Sequence, residues 1–267
     1  MHAADTLLGA RVLGREPLAG GSMEDVARVR LADGRTVVTK GGPDPRAEAA
    51  MLRALAAAGV PVPGVLHADG RTLVLEERPD RGDLSRAWVH LGEVVRALHD
   101  APAPAPAPAY GWSHDYAYGR LPIPNAPDAR WPSFWAERRL LPYAERLPAP
   151  LARRIERLAC DLDARLPAAP RPSLLHGDLW HGNVLSDGAR VSALIDPACY
   201  LGHGEVDLAM LTLFATPGPA FWDAYAPEPG WHERQPLYQL WPAIVHAVLF
   251  GAGYHAMVAG LLDTVGA

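Results

Sequence analysis

The stretch His176-Gly177-Asp178-Leu179-Trp180-His181-Gly182-Asn183 carries an aspartate and an asparagine five positions apart, and Asp196 follows thirteen positions later in Ile195-Asp196-Pro197. The residues between read as a hairpin: apolar Val184-Leu185, a Ser186-Asp187-Gly188 turn, then Val191 to Ile195. A hairpin returns the chain to its start, so three oxygen-bearing side chains converge. Phosphoryl transfer needs such a point, because its catalysis rests on positioning and charge stabilisation. In this reading Asp178 orients an acceptor hydroxyl and takes its proton. Asn183 and Asp196 hold Mg²⁺ against the phosphates of a nucleotide, since a hard cation prefers oxygen ligands. Singly, Gly, Asp and Asn are ordinary turn residues; the ordered trio at hairpin spacing favours the chemical reading.

Such a site requires a lysine on a strand, a glutamate on a helix and a hinge for the adenine. Val26 to Leu31 alternates as a strand, Asp33-Gly34 is a turn, and Thr36 to Thr39 is a β-branched strand ending at Lys40. Glu48 follows in Arg46 to Leu55, where apolar residues recur with helical period. An ion pair to Glu48 would fix the reach of Lys40 toward the phosphates. Thr72 to Arg78 reads as a buried strand entering the hinge, with Leu75 behind the base and the Glu76 carbonyl and Arg78 amide as adenine contacts. Gly20, Gly21 and Ser22 lie in a turn between strands, where glycine permits close backbone approach to phosphate. No Gly-x-Gly-x-x-Gly is present.

Composition bounds the partners. The chain has 267 residues, 49% hydrophobic and 21% charged, with net charge −5. That suits a globular α+β protein with a substantial core and argues against a nucleic-acid-binding surface. No apolar run reaches membrane-spanning length, and Met1 to Asp5 carries no leader pattern. Two cysteines, Cys160 and Cys199, give no disulfide framework and fit a reducing cytoplasm; a monomer is expected.

Along the chain, residues 1–78 read as a nucleotide-binding lobe of antiparallel strands and one helix, Pro45 to Ala58, closed by Gly59. Residues 79–267 read as a mostly helical catalytic and acceptor-binding lobe. Its helices are expected from Asp83 to His99, over Trp131 to Leu141, Leu151 to Leu166, Val206 to Phe214 and Gln239 to Leu262. Ala101 to Ala109 is an Ala-Pro repeat of extended geometry.

The signature resembles the protein-kinase pattern His-Arg-Asp-x4-Asn with glycine in place of arginine, and Ile-Asp-Pro in place of Asp-Phe-Gly. More narrowly, the chain resembles the fructosamine (ketosamine-3-) kinases, within the group that includes aminoglycoside and choline kinases. The residues that carry this are Ala109-Tyr110-Gly111-Trp112, Asn125, Trp131, Phe134, Trp135, Arg139-Leu140, Trp180, the run Asp196-Pro197-Ala198-Cys199-Tyr200, Gly202 to Met210 and Pro236 to Leu240. The resemblance implies a protein-kinase-like bilobal fold and ATP-dependent phosphorylation of a ketosamine 3-hydroxyl. The resulting 3-phosphate would break down and release the amine, a deglycation. It also implies that Asp207 braces the catalytic loop by accepting backbone amides. Trp180, His181, Asn125 and Trp131 are expected around the acceptor. His181 stands where small residues are usual and either narrows the sugar pocket or is a surface imidazole. Gly204 stands where a basic residue is expected. An aminoglycoside or choline-type kinase, with Trp112, Tyr116, Tyr118 and Trp131 as a cation cage, and a nucleotide-binding pseudokinase module remain alternatives.

Overall fold

Strands with one apolar face must bury it, and the first third of the chain does so in one antiparallel sheet. The computed structural model describes residues 5–18, 25–103 and 110–267. The sheet comprises β1 (Thr6–Leu7), β2 (Ala10–Pro17), β3 (Val26–Leu31), β4 (Thr36–Lys40), β5 (Val65–Ala68) and β6 (Leu73–Glu76), in the order β1-β2-β3-β4-β6-β5. Period-two alternation sends Val29, Leu31, Val37 and Val74 to one cluster, while Leu73 and Leu75 pack on Ala49 and Leu52 of α1 (Pro45–Ala57). Asp44 caps α1 by accepting the Arg46 and Ala47 amides, with Pro45 in the first turn. At its far end Gly59 takes φ +82°, a conformation that ends the helix.

Opposite α1's sheet-facing side, Met51 and Leu55 join α2 (Trp88–Asp100) and the strands of the catalytic segment in a second cluster. Burying each such side chain contributes about 1.5–3 kcal/mol, so α1 is anchored to both lobes. The Ala-Pro repeat is described only to residue 103; its remainder, like Gly20, Gly21 and Ser22, lies outside the described residues.

The helical lobe departs from expectation in three places. First, β7 (Tyr116–Tyr118) and β8 (Leu121–Ile123) form a hairpin, too short to read from alternation. Second, the helix expected over Trp131 to Leu141 is α3 (Trp131–Trp135), a π-helical turn over Ala136–Leu140, and α4 (Leu141–Ala144). The wide turn carries Arg139 inward, where its guanidinium lies 4.1 Å from the Tyr200 ring centroid and 4.8 Å from those of Phe134 and Trp241. Third, the helix expected over Gln239 to Leu262 begins earlier and breaks. After α5 (Ala149–Asp161) come β9 (Ser173–Leu175), β10 (Val184–Ser186), β11 (Val191–Leu194), β12 (Tyr200–Gly202), α6 (Glu205–Phe214), α7 (Pro219–Tyr225), α8 (Trp231–Phe250) and α9 (His255–Thr264). Gly251, at φ +87°, separates the last two helices. Among the described residues no helix is long and apolar enough to cross a membrane.

Candidate active site

The catalytic segment is built from two small antiparallel pairings. β9 pairs with β12, Leu175 opposite Tyr200, and β10 pairs with β11, Val184 opposite Leu194. Between β9 and β10 the chain turns at Gly177, φ +83°, where an added Cβ would lie 2.0 Å from the Ala198 carbonyl oxygen. Only glycine fits that turn. The Ala198 amide donates to the His176 carbonyl (2.9 Å) and the Ile195 amide to the Asn183 carbonyl (3.0 Å). These bonds bring Asp196 beside Asn183.

Two buried groups fix the loop from behind. Asp207, fully buried on α6, accepts the amides of His176 (2.8 Å) and Gly177 (2.9 Å) and lies 3.1 Å from His99 Nε2. A hydrogen bond to a charged acceptor contributes about 1.5–3 kcal/mol. His176 is also fully buried, and burial lowers its pKa, which keeps the ring neutral. Its Nδ1 accepts the Asp178 amide (3.3 Å), so the inferred tautomer donates from Nε2 to the Ile195 carbonyl (3.0 Å). One imidazole thus ties the Asp178 backbone to the residue before Asp196.

Asn183 Nδ2 donates to the Asp178 carbonyl (2.8 Å) and to Asp178 Oδ2 (3.1 Å). Burial pushes the Asp178 carboxyl up to about 7, the neighbouring Asp196 charge adds to the rise, and the Asn183 bond opposes it. Such a carboxylate is matched to proton removal near neutral pH. Across the cleft, Lys40 donates to Glu48 Oε1 (3.0 Å) and to Asp196 Oδ1 (2.8 Å). Burial alone would lower the Lys40 pKa; Asp196 and Glu48 outweigh it, so the ammonium stays charged. Burial lifts the Glu48 carboxyl to about 7, against the pull of Lys40. Asp196 adopts φ +55°, uncommon for a side-chain-bearing residue, which turns its carboxylate toward Lys40.

The donor set fits a magnesium ion held partly by phosphate. Among the described residues no group of three or more His, Cys, Asp or Glu side chains forms a metal cage. Mg²⁺ bound with nucleotide, however, takes one or two protein oxygens and fills its sphere from phosphate and water. Asn183 commits its amide nitrogen to Asp178, leaving its oxygen available, and the Asp196 carboxylate is the adjacent anion.

Of the residues expected at the hinge, Leu75 is buried and Glu76 ends β6, its carboxylate accepting the Gly64 amide (3.2 Å). The Arg78 guanidinium donates to the Ser192 carbonyl (2.8 and 3.1 Å), tying the hinge to β11. That contact to the catalytic hairpin was not legible in the sequence.

The expected acceptor residues divide. Trp180 is half-buried, its ring covering Gly182, where a Cβ would lie 2.4 Å from the indole; exposed His181 packs edge-on against it at 4.9 Å. Asn125 and Trp131 require correction. Trp131 is fully buried in the helical-lobe core, donating from Nε1 to the Tyr238 hydroxyl (2.9 Å). Asn125, 1% exposed, accepts from Arg139 (2.8 Å) and donates to the His114 carbonyl (3.2 Å). Neither offers a side chain to an acceptor, because Asn125 is held by Arg139 and Trp131 by Tyr238 inside the core. Gly204 also serves packing: a Cβ there would lie 2.8 Å from His99 Nδ1. Cys199 is fully buried, with its amide 3.3 Å from Met51 Sδ, and burial drives its thiol pKa well up.

In place of Asn125 and Trp131 stand two tyrosines of the β7–β8 hairpin. The Tyr118 hydroxyl donates to the Gly177 carbonyl (3.2 Å), and burial together with the Asp178 charge raises its pKa well above the usual tyrosine value. Tyr116 lies among the carboxylates of Glu48 and Asp196, with its pKa raised by burial and then by those charges. The only sequence signal for this hairpin is the Tyr-Ala-Tyr alternation.

This geometry has relatives. The chain matches the family model for fructosamine kinase over residues 6–266. It is 38% identical over 251 residues to a probable ketoamine kinase of Thermus thermophilus, covering 89% of this chain and 88% of that one. It is 37% identical over 191 residues to a probable ketoamine kinase of Synechocystis, a match spanning 66% of this chain and 61% of that relative's length. A crystal structure of a fructosamine-3-kinase candidate from Thermobifida fusca superposes with TM-score 0.86 at 36% identity, covering 97% of this chain and 95% of the other. The fold is the protein-kinase-like bilobal α+β arrangement, and the chain belongs to the fructosamine kinase family.

Proposed function

We propose that this protein transfers the γ-phosphoryl group of ATP to the 3-hydroxyl of a ketosamine, through a nucleotide-binding lobe of residues 1–78 and a catalytic lobe of residues 79–267. The observation that carries the reading is the linked pair of constellations, Glu48–Lys40–Asp196 facing Asp178–Asn183, built on the fructosamine kinase framework. Asp178 accepts the proton of the attacking hydroxyl, and its raised pKa suits that task. Lys40, held by Glu48, binds the phosphates. Asn183 and Asp196 hold Mg²⁺, which when bound offsets the charge that builds on the transferred group. The backbone of Glu76 and Arg78 receives the adenine. Trp180 walls the sugar, and Tyr118 supports the loop through the Gly177 carbonyl. Asp207 holds the loop that carries Asp178.

Steady-state kcat/KM over a panel of fructosamine, ribulosamine and erythrulosamine adducts, kanamycin and choline tests the acceptor class, with NMR locating the phosphate. A ketosamine should rank first. Choline or kanamycin outranking every ketosamine would overturn the acceptor class, and phosphate at another hydroxyl would overturn only the position.

A further inference from the structure

Of the 25 lysine and arginine residues, all but Lys40 are arginine. Lysine is ordinarily among the commonest residues of a globular chain. The surface keeps its positive charge nonetheless. Its ion pairs with aspartate, among them Arg15–Asp5, Arg96–Asp100, Arg130–Asp163 and Arg171–Asp100, are made by guanidinium groups. The two cations differ in their chemistry toward carbonyl compounds. A guanidinium stays protonated, with a pKa above about 12, and offers no free amine. An exposed lysine, with a pKa of about 10.4, always has a small neutral fraction whose lone pair is a nucleophile.

The fold withdraws the one side-chain amine that is left. Lys40 closes β4 with its side chain 6% exposed, and it donates to Glu48 Oε1 (3.0 Å) and Asp196 Oδ1 (2.8 Å). The two carboxylates outweigh burial and raise its pKa, so the nitrogen holds its proton. Attack on an aldehyde needs an amine that is both neutral and open to approach. Lys40 is neither.

The consequence lies in how the acceptor forms. The lone pair of an amine adds to the carbonyl carbon of a reducing sugar, water leaves, and the resulting imine isomerises to the ketosamine with no further gain or loss of atoms. We propose that the side chains of this protein are inert to the sugars that generate its acceptor: the surface cations are of a kind that sugars leave unmodified, and the single lysine is shielded by burial and by its two carboxylate partners. The protein then keeps its phosphate-binding amine in a glycating medium, and it presents no side-chain ketosamine of its own to compete with the acceptor. The link to the acceptor rests on the ketosamine reading.

The test is incubation with ribose, followed by peptide mapping for the mass of one sugar less one water. The native wild type should carry no such adduct at Lys40 and should keep its affinity for Mg²⁺–ATP, measured by calorimetric titration. The same chain unfolded in urea should gain the adduct at Lys40, about tenfold or more above the native level, because structure then no longer limits access. An Arg130→Lys/Arg171→Lys variant keeps both charges at exposed positions, and it should gain an adduct at each introduced lysine under native conditions. Equal modification of Lys40 in the native and unfolded chain would overturn the shielding. Introduced lysines that stay unmodified would overturn the part assigned to the guanidinium surface. Nucleotide affinity that decays in step with incubation would overturn the proposal as a whole. The adduct map needs no turnover: if the wild type phosphorylates no ketosamine, the ketosamine reading fails, and the map still decides whether sugars modify the chain.

Discussion

The catalytic loop and the acceptor side of the helical lobe are both rich in polar and aromatic side chains, yet they are organised in opposite ways. In the loop, polar groups reach the site because backbone partners fix them from behind. Asp207 takes two loop amides, His176 joins the Asp178 amide to the Ile195 carbonyl, and Gly177 permits the turn. On the acceptor side, Trp131, Asn125 and Arg139, which carry part of the family resemblance, are swallowed by the core. A hydrogen-bonded loop can present a carboxylate with a raised pKa to substrate; an aromatic core around a buried guanidinium can only hold shape. Motif membership therefore marks chemistry in the first region and packing in the second.

The sharpest way to break that contrast is at Asp178. Asp178→Asn should lower turnover about 10³-fold, within the range for loss of a general base, while leaving ATP affinity nearly unchanged. Turnover within a few-fold of wild type would show that another group takes the proton. The same variant carries a stability signature. A carboxyl whose folded pKa is raised to about 7 binds its proton more tightly in the folded state. Folding stability is then lost as pH rises from the ordinary aspartate range through 7. Asp178→Asn should thus melt above wild type at pH 8, with the difference gone below about pH 4.

Asp207→Ala tests the other half of the loop. It removes two charge-assisted bonds from buried amides, each contributing about 1.5–3 kcal/mol, so the melting temperature should fall by roughly 10 °C. A variant that melts like wild type but needs more Mg²⁺ would assign Asp207 to the metal and not to the brace.

The pH profile asks whether the loop's electrostatics govern the rate. With the Asp178 carboxyl at about 7, kcat/KM should rise about tenfold per pH unit below 7 and level off above it. An inflection near 4 would mean that the carboxylate is not held in the environment described here.

The smallest effect is expected from the core side. Asn125→Ala should cost about 1–3 kcal/mol, because Arg139 loses a buried acceptor, and acceptor KM should change less than twofold. A large rise in KM without destabilisation would return Asn125 to the acceptor pocket and blur the contrast between the two regions.

How much could be read beforehand follows from the range of each interaction. Lys40, Glu48, Asp178, Asn183 and Asp196 were legible because short-range rules place them: a strand ending in lysine, a capped helix, and a hairpin closing one loop. The β7–β8 hairpin was not, since three-residue strands carry too little alternation, and Tyr116 and Tyr118 resembled a cation cage as much as anything else. Trp131 and Asn125 were misread because a residue type does not say which way it faces. Long-range partners decided that for them: Arg139, on a π-helical turn, holds Asn125, and Tyr238 of α8 holds Trp131. The Gly251 break decided where the last helix divides.

The sequence by itself determined the order of a strand-rich and a helical part, the strand and helix bearing the Lys40–Glu48 pair, and the loop that carries Asp178, Asn183 and Asp196, since these depend on local period, capping and turn geometry. Only the tertiary structure decided that Lys40 bridges Glu48 to Asp196 across 156 positions, that Tyr118 meets the catalytic loop, and that Asn125 and Trp131 are core. The reason is physical: burial and long-range pairing are properties of the assembled surface, and no local pattern encodes which distant side chain will fill the other side.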